Sequence, residues 1–260
     1  MASNSIVFDR AVDYYDETRG FPPGVEDQVA ALFVQAGTLT RASRVLEVGI
    51  GTGRIALPLA QHVHSITGVD LSRGMMNRLR AKRTDQPIDL AEGDITRLPL
   101  AAQRFDAAVA VHIFHLVPKW RQALGEIVRV LRPGGLLLYG RGKQHELPAI
   151  SEALEAVLPG EGPVDVGARE AEVWKYLLSM GWHETTEPLY HRFVSARSPH
   201  EVLGLLERRV WSTLWRLSDE EHSAVVKAAR EAIAANYPDP TSPVDAESFF
   251  EVRVFAPPRS

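Results

Sequence analysis

Residues 45–60 of this 260-residue chain read VLEVGIGTGRIALPLA. The run VLEV predicts a buried strand, and the apolar periodicity after it predicts a helix over about residues 54–62. Between them stand three glycines at alternate positions, Gly49, Gly51 and Gly53. Glycine lacks the Cβ that would hold a ligand away from the main chain, and ligands of open α/β sheets bind where a strand meets a helix N-terminus. The stretch predicts either a ligand site or a tight turn without a ligand.

Strand and helix patterns alternate on both sides of this stretch. The strand signals are HSITGVDLS, IDLAEGDI, RFDAAVAVHIFHLV and GGLLLYGR, and helical signals separate them in SRGMMNRLRAKR and WRQALGEIVRVLR. Strands separated by helices require crossovers, which make the strands parallel. The pattern predicts an α/β fold with a doubly wound sheet.

The last third of the chain is less regular. REAEVWKYLLSMGW predicts a helix that ends at Gly181, and TTEPLYHRFVSAR predicts a strand. Two amphipathic helices are expected over residues 199–236, with SDEE as the capping signal of the second, and SFFEVRVFAP is expected as the final strand. The predicted helical insertion either covers a site as a lid or only fills space.

Composition excludes several classes of protein. Lys plus Arg is 29 and Asp plus Glu is 33, so the formal charge of −4 argues against a nucleic-acid partner. Cysteine is absent, which excludes disulfides and thiol nucleophiles and fits a reducing compartment. No stretch has the apolar core of a signal peptide or the roughly 18 apolar residues of a membrane span. We therefore expect a cytoplasmic protein without a membrane partner.

A carboxylate supports a nucleoside ligand at the glycine turn. Asp70 ends the second predicted strand, at about the spacing of a residue that accepts hydrogen bonds from a ribose diol. The dinucleotide fingerprint needs a glycine at position six, counted from Gly49, but Arg54 stands there. Glu47 would also bring negative charge toward a pyrophosphate, whereas an ammonium group would be attracted by it. The spacing therefore disfavours a nicotinamide cofactor.

Five motifs in sequential order, VLEVGIGTGRIALPLA, GVDLS, EGDITRLPL, FDAAVAVHIFHLV and RVLRPGGLLLYG, resemble the class I S-adenosylmethionine-dependent methyltransferases, most closely the type 11 or UbiE-like small-molecule enzymes. The resemblance covers about residues 8–140. It implies a Rossmann-like seven-stranded sheet with an antiparallel last strand, in one domain over residues 1–260. Within it we expect N-terminal cover helices at 1–40, a cofactor-binding core at 41–145, a further helix and strand at 146–197, a helical insertion at 198–243 and the final strand at 244–260.

The resemblance also implies the residues that bind S-adenosylmethionine. The loop of Glu47, Gly49, Gly51 and Gly53 resembles the segment under the methionine part, and Asp70 resembles the ribose acceptor. The residues implied at the adenine are Leu71, Met75 or Met76, Asp94 and Ile95, although a methionine on a helix more often fills a core. Val111 completes the implied cofactor contacts.

The N-terminal motif and two histidines are the remaining candidates. FDRAVDYYDETRG resembles the family's cover over the cofactor, which implies that Tyr15 lies near the sulfonium and that Arg19 pairs with the methionine carboxylate. The alternative is a solvated helix. His112 and His115 follow the fourth predicted strand, where the family presents residues to its substrate. His115 is the expected general base. His112 is expected either to act as a base or to contact the cofactor. The alternative for each histidine is a purely structural role.

The sequence therefore predicts an enzyme that transfers a methyl group to a small-molecule acceptor, at oxygen or carbon rather than nitrogen. An Asn-Pro-Pro-Tyr or Asp-Pro-Pro-Tyr motif, typical of amino-directed base methyltransferases, is absent, and the histidines lack a third ligand for a metal. Open alternatives are a binding protein without turnover, a nicotinamide-dependent oxidoreductase, and a methyltransferase acting on tRNA or protein. A monomer or a homodimer is expected.

Overall fold

The computed structural model of the chain describes residues 5–144, 147–158 and 168–258. The predicted boundary between segments 41–145 and 146–197 lies outside these residues, as do the outer ends of the first and last predicted segments. The chain divides into two compact units. The first unit takes in residues 1–141, 166–191 and 250–260, and the second takes in residues 142–165 and 192–249.

The helices and strands of the first unit follow the predicted alternation up to residue 141. In chain order they are α1 (Tyr15–Arg19), α2 (Val25–Gly37), β1 (Arg44–Val48), α3 (Ala56–Leu59), β2 (Ser65–Asp70), α4 (Arg73–Lys82), β3 (Ile88–Glu92), β4 (Phe105–Val111), α5 (Trp120–Val130) and β5 (Leu131–Lys143). Short 3-10 helices lie at Asp9–Ala11, Ile95–Arg97 and Phe114–Leu116.

The remaining elements complete the sheet and form the second unit. They are α6 (Pro148–Val157), α7 (Glu170–Ser179), β6 (His183–Glu184), β7 (Leu189–Arg197), α8 (Pro199–Glu207), a 3-10 helix at Ser212–Leu214, α9 (Asp219–Asn236) and β8 (Val244–Ala256). Helices α6, α8 and α9 enclose a separate hydrophobic core in the second unit, which includes Val202, Val225 and Ile233. Ser218 and Glu221 form the predicted capping box at the start of α9.

The described strands form an eight-stranded sheet in the order β3-β2-β1-β4-β5-β8-β6, with β7 also paired to β8. Strands β1 to β5 are parallel where their pairing is described, and β6 runs antiparallel to β8. The predicted doubly wound sheet with an antiparallel last strand is therefore confirmed. The eighth strand is the short β6, which precedes the strand predicted at residues 185–197. That strand is regular only from Leu189, after Pro188, which provides no N–H for pairing.

Burial explains why these segments form a two-sided core. β1 is buried from its second residue onward, and β4 has one half-buried residue before a run of four buried ones, as expected of parallel strands covered on both faces. Helix α5 buries the stripe Trp120, Ala123, Leu124, Ile127 and Val130. Because the strands are parallel, the residues that follow β1, β2 and β4 meet at one edge of the sheet.

Three segments differ from the sequence-based expectations. The expected helix over 54–62 is regular only from Ala56 to Leu59, because Pro58 cannot donate a main-chain hydrogen bond inside it. The fourth strand ends at Val111, since His112 has a left-handed φ of 47°. The second unit is also wider than the predicted insertion at 198–243, because it includes α6 and most of β7.

Candidate active site

The glycine turn after β1 has the backbone that its sequence predicts. Gly49, Gly51 and Gly53 have φ values of 72°, 54° and 80°, in the left-handed region that favours glycine. A Cβ on Gly49 would lie 2.6 Å from the Ile113 side chain, whereas a Cβ on Gly51 would meet only a main-chain oxygen at 3.9 Å. The main chain at Gly51 is therefore open to a ligand.

Asp70 holds this turn from the end of β2. Its Oδ2 accepts a hydrogen bond from the Gly51 amide at 2.8 Å, and its Oδ1 accepts one from the Ser72 amide at 2.8 Å. Burial raises the pKa of Asp70, and these two amides partly offset the rise. A carboxylate oxygen can accept more than one hydrogen bond, so the same group can also receive two ligand hydroxyls.

The loop after β3 carries the residues expected at an adenine ring. Asp94 Oδ1 accepts a hydrogen bond from the Thr96 amide at 2.9 Å, while Oδ2 accepts none from the described residues. Ile95 is buried beside it and Leu71 is half-buried. Met75 and Met76 are only 2% and 1% exposed, so both fill the core in this structure. Contact of Met75 with adenine stays a prediction.

A pair of residues that sequence reasoning missed holds the loop after β3 against α5. Glu126 Oε2 accepts a hydrogen bond from the Leu98 amide at 2.8 Å, and Arg129 donates to the carbonyls of Leu100 at 2.9 Å and Leu98 at 3.2 Å. The two side chains also form a two-point ion pair, which lowers the pKa of Glu126. No local motif marks them, since their loop partners lie about 30 residues away in sequence.

Replacing Glu126 by alanine is expected to weaken the binding of an adenosine ligand about fivefold, because the loop loses a hydrogen bond worth about 1 kcal/mol. Titration of S-adenosylhomocysteine would measure the change. The matched control is Glu231→Ala, which removes the exposed pair between Glu231 and Lys227 in α9. Equal affinities of both variants would show that Glu126 does not position the loop.

Glu47 is an unusual group inside β1. Its side chain is 3% exposed, and its Oε2 is buried without a hydrogen-bond partner among the described residues. Burial raises the pKa of Glu47 to about 8, while the charge of Arg54 lowers it and that of Asp70 raises it. A buried acceptor without a partner destabilises the protein unless a ligand satisfies it, and an ammonium group would do so.

The two histidines follow β4 at the same edge. His112 is half-buried, and burial lowers its pKa well below its usual range, with further lowering by Arg54, His115, Arg19 and Arg141. His112 is therefore neutral near pH 7 and a weak base. His115 lies in the 3-10 helix Phe114–Leu116 and is also half-buried. Val111 ends β4 opposite Gly140 of β5.

The N-terminal segment is bound to the glycine turn. The carboxylate of Asp16 accepts hydrogen bonds from Thr52 Oγ1 at 2.5 Å and from Lys82 Nζ at 2.9 Å. Tyr15 is half-buried and packs edge-on against Phe8, with ring centroids 6.0 Å apart. Arg19 is half-buried in the last turn of α1. The segment thus brings both predicted cover residues to this edge, through contacts that no spacing in the sequence indicates.

An ionic cluster that was also missed joins β5 to β8. Glu251 is fully buried and accepts hydrogen bonds from Arg141 Nε and Arg253 Nε, each at 2.5 Å. Arg141 also pairs with Glu170 at 3.0 Å. Both guanidinium groups lie over the Trp174 ring, at 5.4 Å and 4.2 Å from its centroid. Because the charge of Arg141 acts on His112, the cluster contributes to the electrostatics of the site.

The described residues, 5–144, 147–158 and 168–258, contain no group of three His, Asp or Glu side chains arranged to hold a metal ion. None of their helices combines the length and the apolar character that crossing a bilayer demands.

The strand order, the glycine turn and the carboxylate after β2 define a class I methyltransferase fold. Residues 46–139 match the family model described as a methyltransferase domain, type 11. The matched segment, residues 46–139, is therefore similar to the methyltransferase domain of that family.

Curated proteins that resemble the chain are methyltransferases by name. The chain is 33% identical over 148 residues to a fatty-acid O-methyltransferase of Mycolicibacterium smegmatis, which covers 54% of each protein. It is 34% identical over 133 residues to a demethylmenaquinone methyltransferase of Renibacterium salmoninarum, covering 51% of this chain and 55% of the relative. The chain thus spans about half the length of the curated relatives that it matches.

A solved structure of similar fold is a phosphoethanolamine N-methyltransferase 2 of Haemonchus contortus, in complex with phosphomonomethylethanolamine and S-adenosylhomocysteine. The TM-score is 0.57 and the sequence identity 17%, over 99% of this chain and 61% of the other. At this identity the likeness shows the fold alone.

Proposed function

We propose that this chain binds S-adenosylmethionine and transfers its methyl group to a small-molecule acceptor, at oxygen or carbon rather than nitrogen. The observation that carries the proposal is the buried Glu47 carboxyl, whose Oε2 has no partner among the described residues. It lies in β1, next to a turn whose main chain is open at Gly51. A cofactor with both an ammonium group and a ribose diol would satisfy Glu47 and Asp70 together.

The remaining contacts follow from this placement. Glu47 receives the α-ammonium group, and Asp70 accepts from the two ribose hydroxyls while it holds Gly51. Asp94 Oδ2 accepts from the adenine amino group, and the Ile95 amide donates to a ring nitrogen. Tyr15 and Arg19 cover the methionine end, with Arg19 toward its carboxylate, and Leu71, Met75 and Val111 contact the cofactor from its sides.

Methyl transfer depends more on the alignment of the reacting atoms than on catalytic side chains. When bound, S-adenosylmethionine supplies a methyl group on a sulfonium, which leaves by in-line displacement once the acceptor atom is held at near-attack distance. His115 takes the proton of an acceptor hydroxyl or acidic carbon, and that proton later passes to solvent. Neutral His112 donates or accepts one hydrogen bond at the same edge without carrying charge toward the sulfonium.

The choice of oxygen or carbon rests on the segment after β4. That segment reads HIFHLV and has no Pro-Pro-Tyr motif to orient a planar amine. The names of two relatives, a fatty-acid O-methyltransferase and a demethylmenaquinone methyltransferase, fit a small apolar acceptor. We also propose that the protein is a cytoplasmic monomer or homodimer. Analytical ultracentrifugation of the purified chain would measure the oligomeric state.

Calorimetric titration with S-adenosylmethionine, S-adenosylhomocysteine and NAD in parallel tests the cofactor. We expect binding of the first two ligands and none of NAD, and binding of NAD alone would overturn the proposal. A screen of hydroxylated, acidic-carbon and amine acceptors with labelled methyl donor then tests transfer. Label found only on amines would contradict the oxygen or carbon assignment, and binding without any transfer would indicate a non-catalytic protein.

Cofactor binding is expected to release close to one proton at pH 7. With a pKa of about 8 the free protein holds Glu47 mostly protonated, and an incoming ammonium group makes it ionise. Calorimetry of S-adenosylhomocysteine binding in buffers of different ionisation enthalpy measures the released proton. The variant Glu47→Gln should release none, and an equal proton count in both proteins would contradict the assignment.

Glu47 also makes the free energy of unfolding depend on pH. In the folded protein Glu47 keeps its proton up to about pH 8, whereas in the unfolded chain it has the usual glutamate pKa of 4.5. The free energy of unfolding therefore falls as the pH rises from 4.5 to about 8, and Glu47→Gln should reduce this slope.

A further inference from the structure

Arg54, the residue that breaks the dinucleotide fingerprint, has an unusual position in the glycine turn. It follows Gly53 and is half-buried, and its guanidinium carbon lies 4.7 Å from the centroid of the Phe21 ring. Its Nη1 donates to the main-chain carbonyl of Arg19 at 2.7 Å. One of its five N–H donors is thus used, and Nε and Nη2 meet no acceptor among the described residues.

Arg54 also lies near a carboxylate that it does not contact. Its positive charge acts on the buried Glu47, yet no ion pair within 4.0 Å joins the two side chains in the described part of the chain. A carboxyl and a guanidinium that do not touch leave room for a ligand that bears both charges, and its ammonium group would ionise the carboxyl. An amino-acid zwitterion has that pattern, with its ammonium toward the carboxylate and its carboxylate toward the guanidinium.

We infer that Arg54 is a ligand of the cofactor carboxylate and that Glu47 and Arg54 together bind the two charges of the methionine end. This inference rests on the proposed function and changes its carboxylate site, where the resemblance implied Arg19 alone. The planar fork of a guanidinium can hold a carboxylate at two points while Nη1 keeps the Arg19 carbonyl. Arg54 would then connect the cofactor to the N-terminal cover.

Two ligands isolate the contact with the carboxylate. S-adenosylhomocysteine has the full amino-acid end, and its decarboxylated analogue keeps the adenosine and the ammonium group and lacks only the carboxylate. We expect Arg54→Gln to weaken binding of the first ligand by at least about tenfold and to change binding of the second by less than about twofold. Arg54→Lys, which keeps the charge, should recover part of the loss.

The matched control is Arg132→Gln, which removes an exposed arginine at the opposite edge of the sheet, where it pairs with Asp106. It should bind both ligands as the wild-type protein does. Equal losses of both ligands in Arg54→Gln would show that Arg54 only supports the fold of the turn, and the inference would fall. Wild-type protein that binds neither ligand would instead overturn the proposed function.

A second comparison separates direct contact from an effect through Arg19. If Arg54 acts only by holding the Arg19 carbonyl, Arg54→Gln should have no further effect in a protein that already carries Arg19→Gln. If Arg54 binds the carboxylate itself, the selective loss of S-adenosylhomocysteine affinity should persist in that background. Disappearance of the loss would overturn direct binding.

Discussion

Replacing Asp70 by alanine should weaken the binding of S-adenosylhomocysteine by about 2 kcal/mol or more, roughly 30-fold, which is the largest binding effect expected at this site. Two losses combine in this variant. The ribose diol loses a charged acceptor, and the amides of Gly51 and Ser72 lose the oxygens that hold them at 2.8 Å. Isothermal titration of the purified variant would measure the affinity, and an unchanged affinity would remove Asp70 from the site.

A modified ligand separates these two losses. The 2′-deoxy analogue of S-adenosylhomocysteine lacks one of the hydroxyls that Asp70 is proposed to accept from. Wild-type protein should bind this analogue more weakly than the parent ligand, whereas Asp70→Ala should distinguish the two much less. If Asp70→Ala distinguishes the two ligands as strongly as the wild-type protein does, Asp70 supports the turn but does not bind the ribose hydroxyls.

Replacing His115 by alanine should lower kcat by about 100-fold or more while cofactor affinity stays within about twofold, because the variant removes a general base and leaves the glycine turn intact. The prediction applies to an acceptor that must lose a proton. Single-turnover transfer of a labelled methyl group measures the chemical step, and normal turnover would assign His115 to a structural role.

His112 provides the comparison for this experiment. Its lowered pKa makes it the weaker base, and its φ of 47° is a conformation that asparagine also tolerates. His112→Asn should therefore keep the local backbone and lose less turnover than His115→Ala. A larger loss of turnover in His112→Asn than in His115→Ala, with cofactor affinity unchanged, would make His112 the general base instead of His115.

The fold of the first unit was predictable because its signals are local. VLEV followed by three alternate glycines indicates a buried strand and a strand-to-helix turn, and this indication does not depend on the rest of the chain. The five motifs in sequential order then imply one known sheet topology, which the structure confirms. The short strand β6 was not predicted, and the strand predicted at residues 185–197 begins only at Leu189, after Pro188.

The residues of the candidate site also form two groups, those that the sequence indicated and those that only the structure revealed. Glu47, Gly51 and Asp70 were found from spacing along the chain, because neighbouring strands bring them together whenever the sheet forms. Glu126, which holds the loop after β3, and Asp16, which joins the N-terminal segment to the turn, were missed. Their partners lie about 30 to 66 residues away, so that only tertiary packing brings the groups into contact.

The sequence by itself determined the alternation of strands and helices, the glycine turn and the acidic residues beside it, because hydrophobic periodicity and glycine geometry act over a few residues. Only the tertiary structure decided the charge states. Burial removes water from both groups, which raises the pKa of Glu47 and lowers that of His112; the positive charge of Arg54 partly offsets the rise at Glu47 and adds to the lowering at His112. Burial and distance are properties of the folded chain, and the pattern of residues does not contain them.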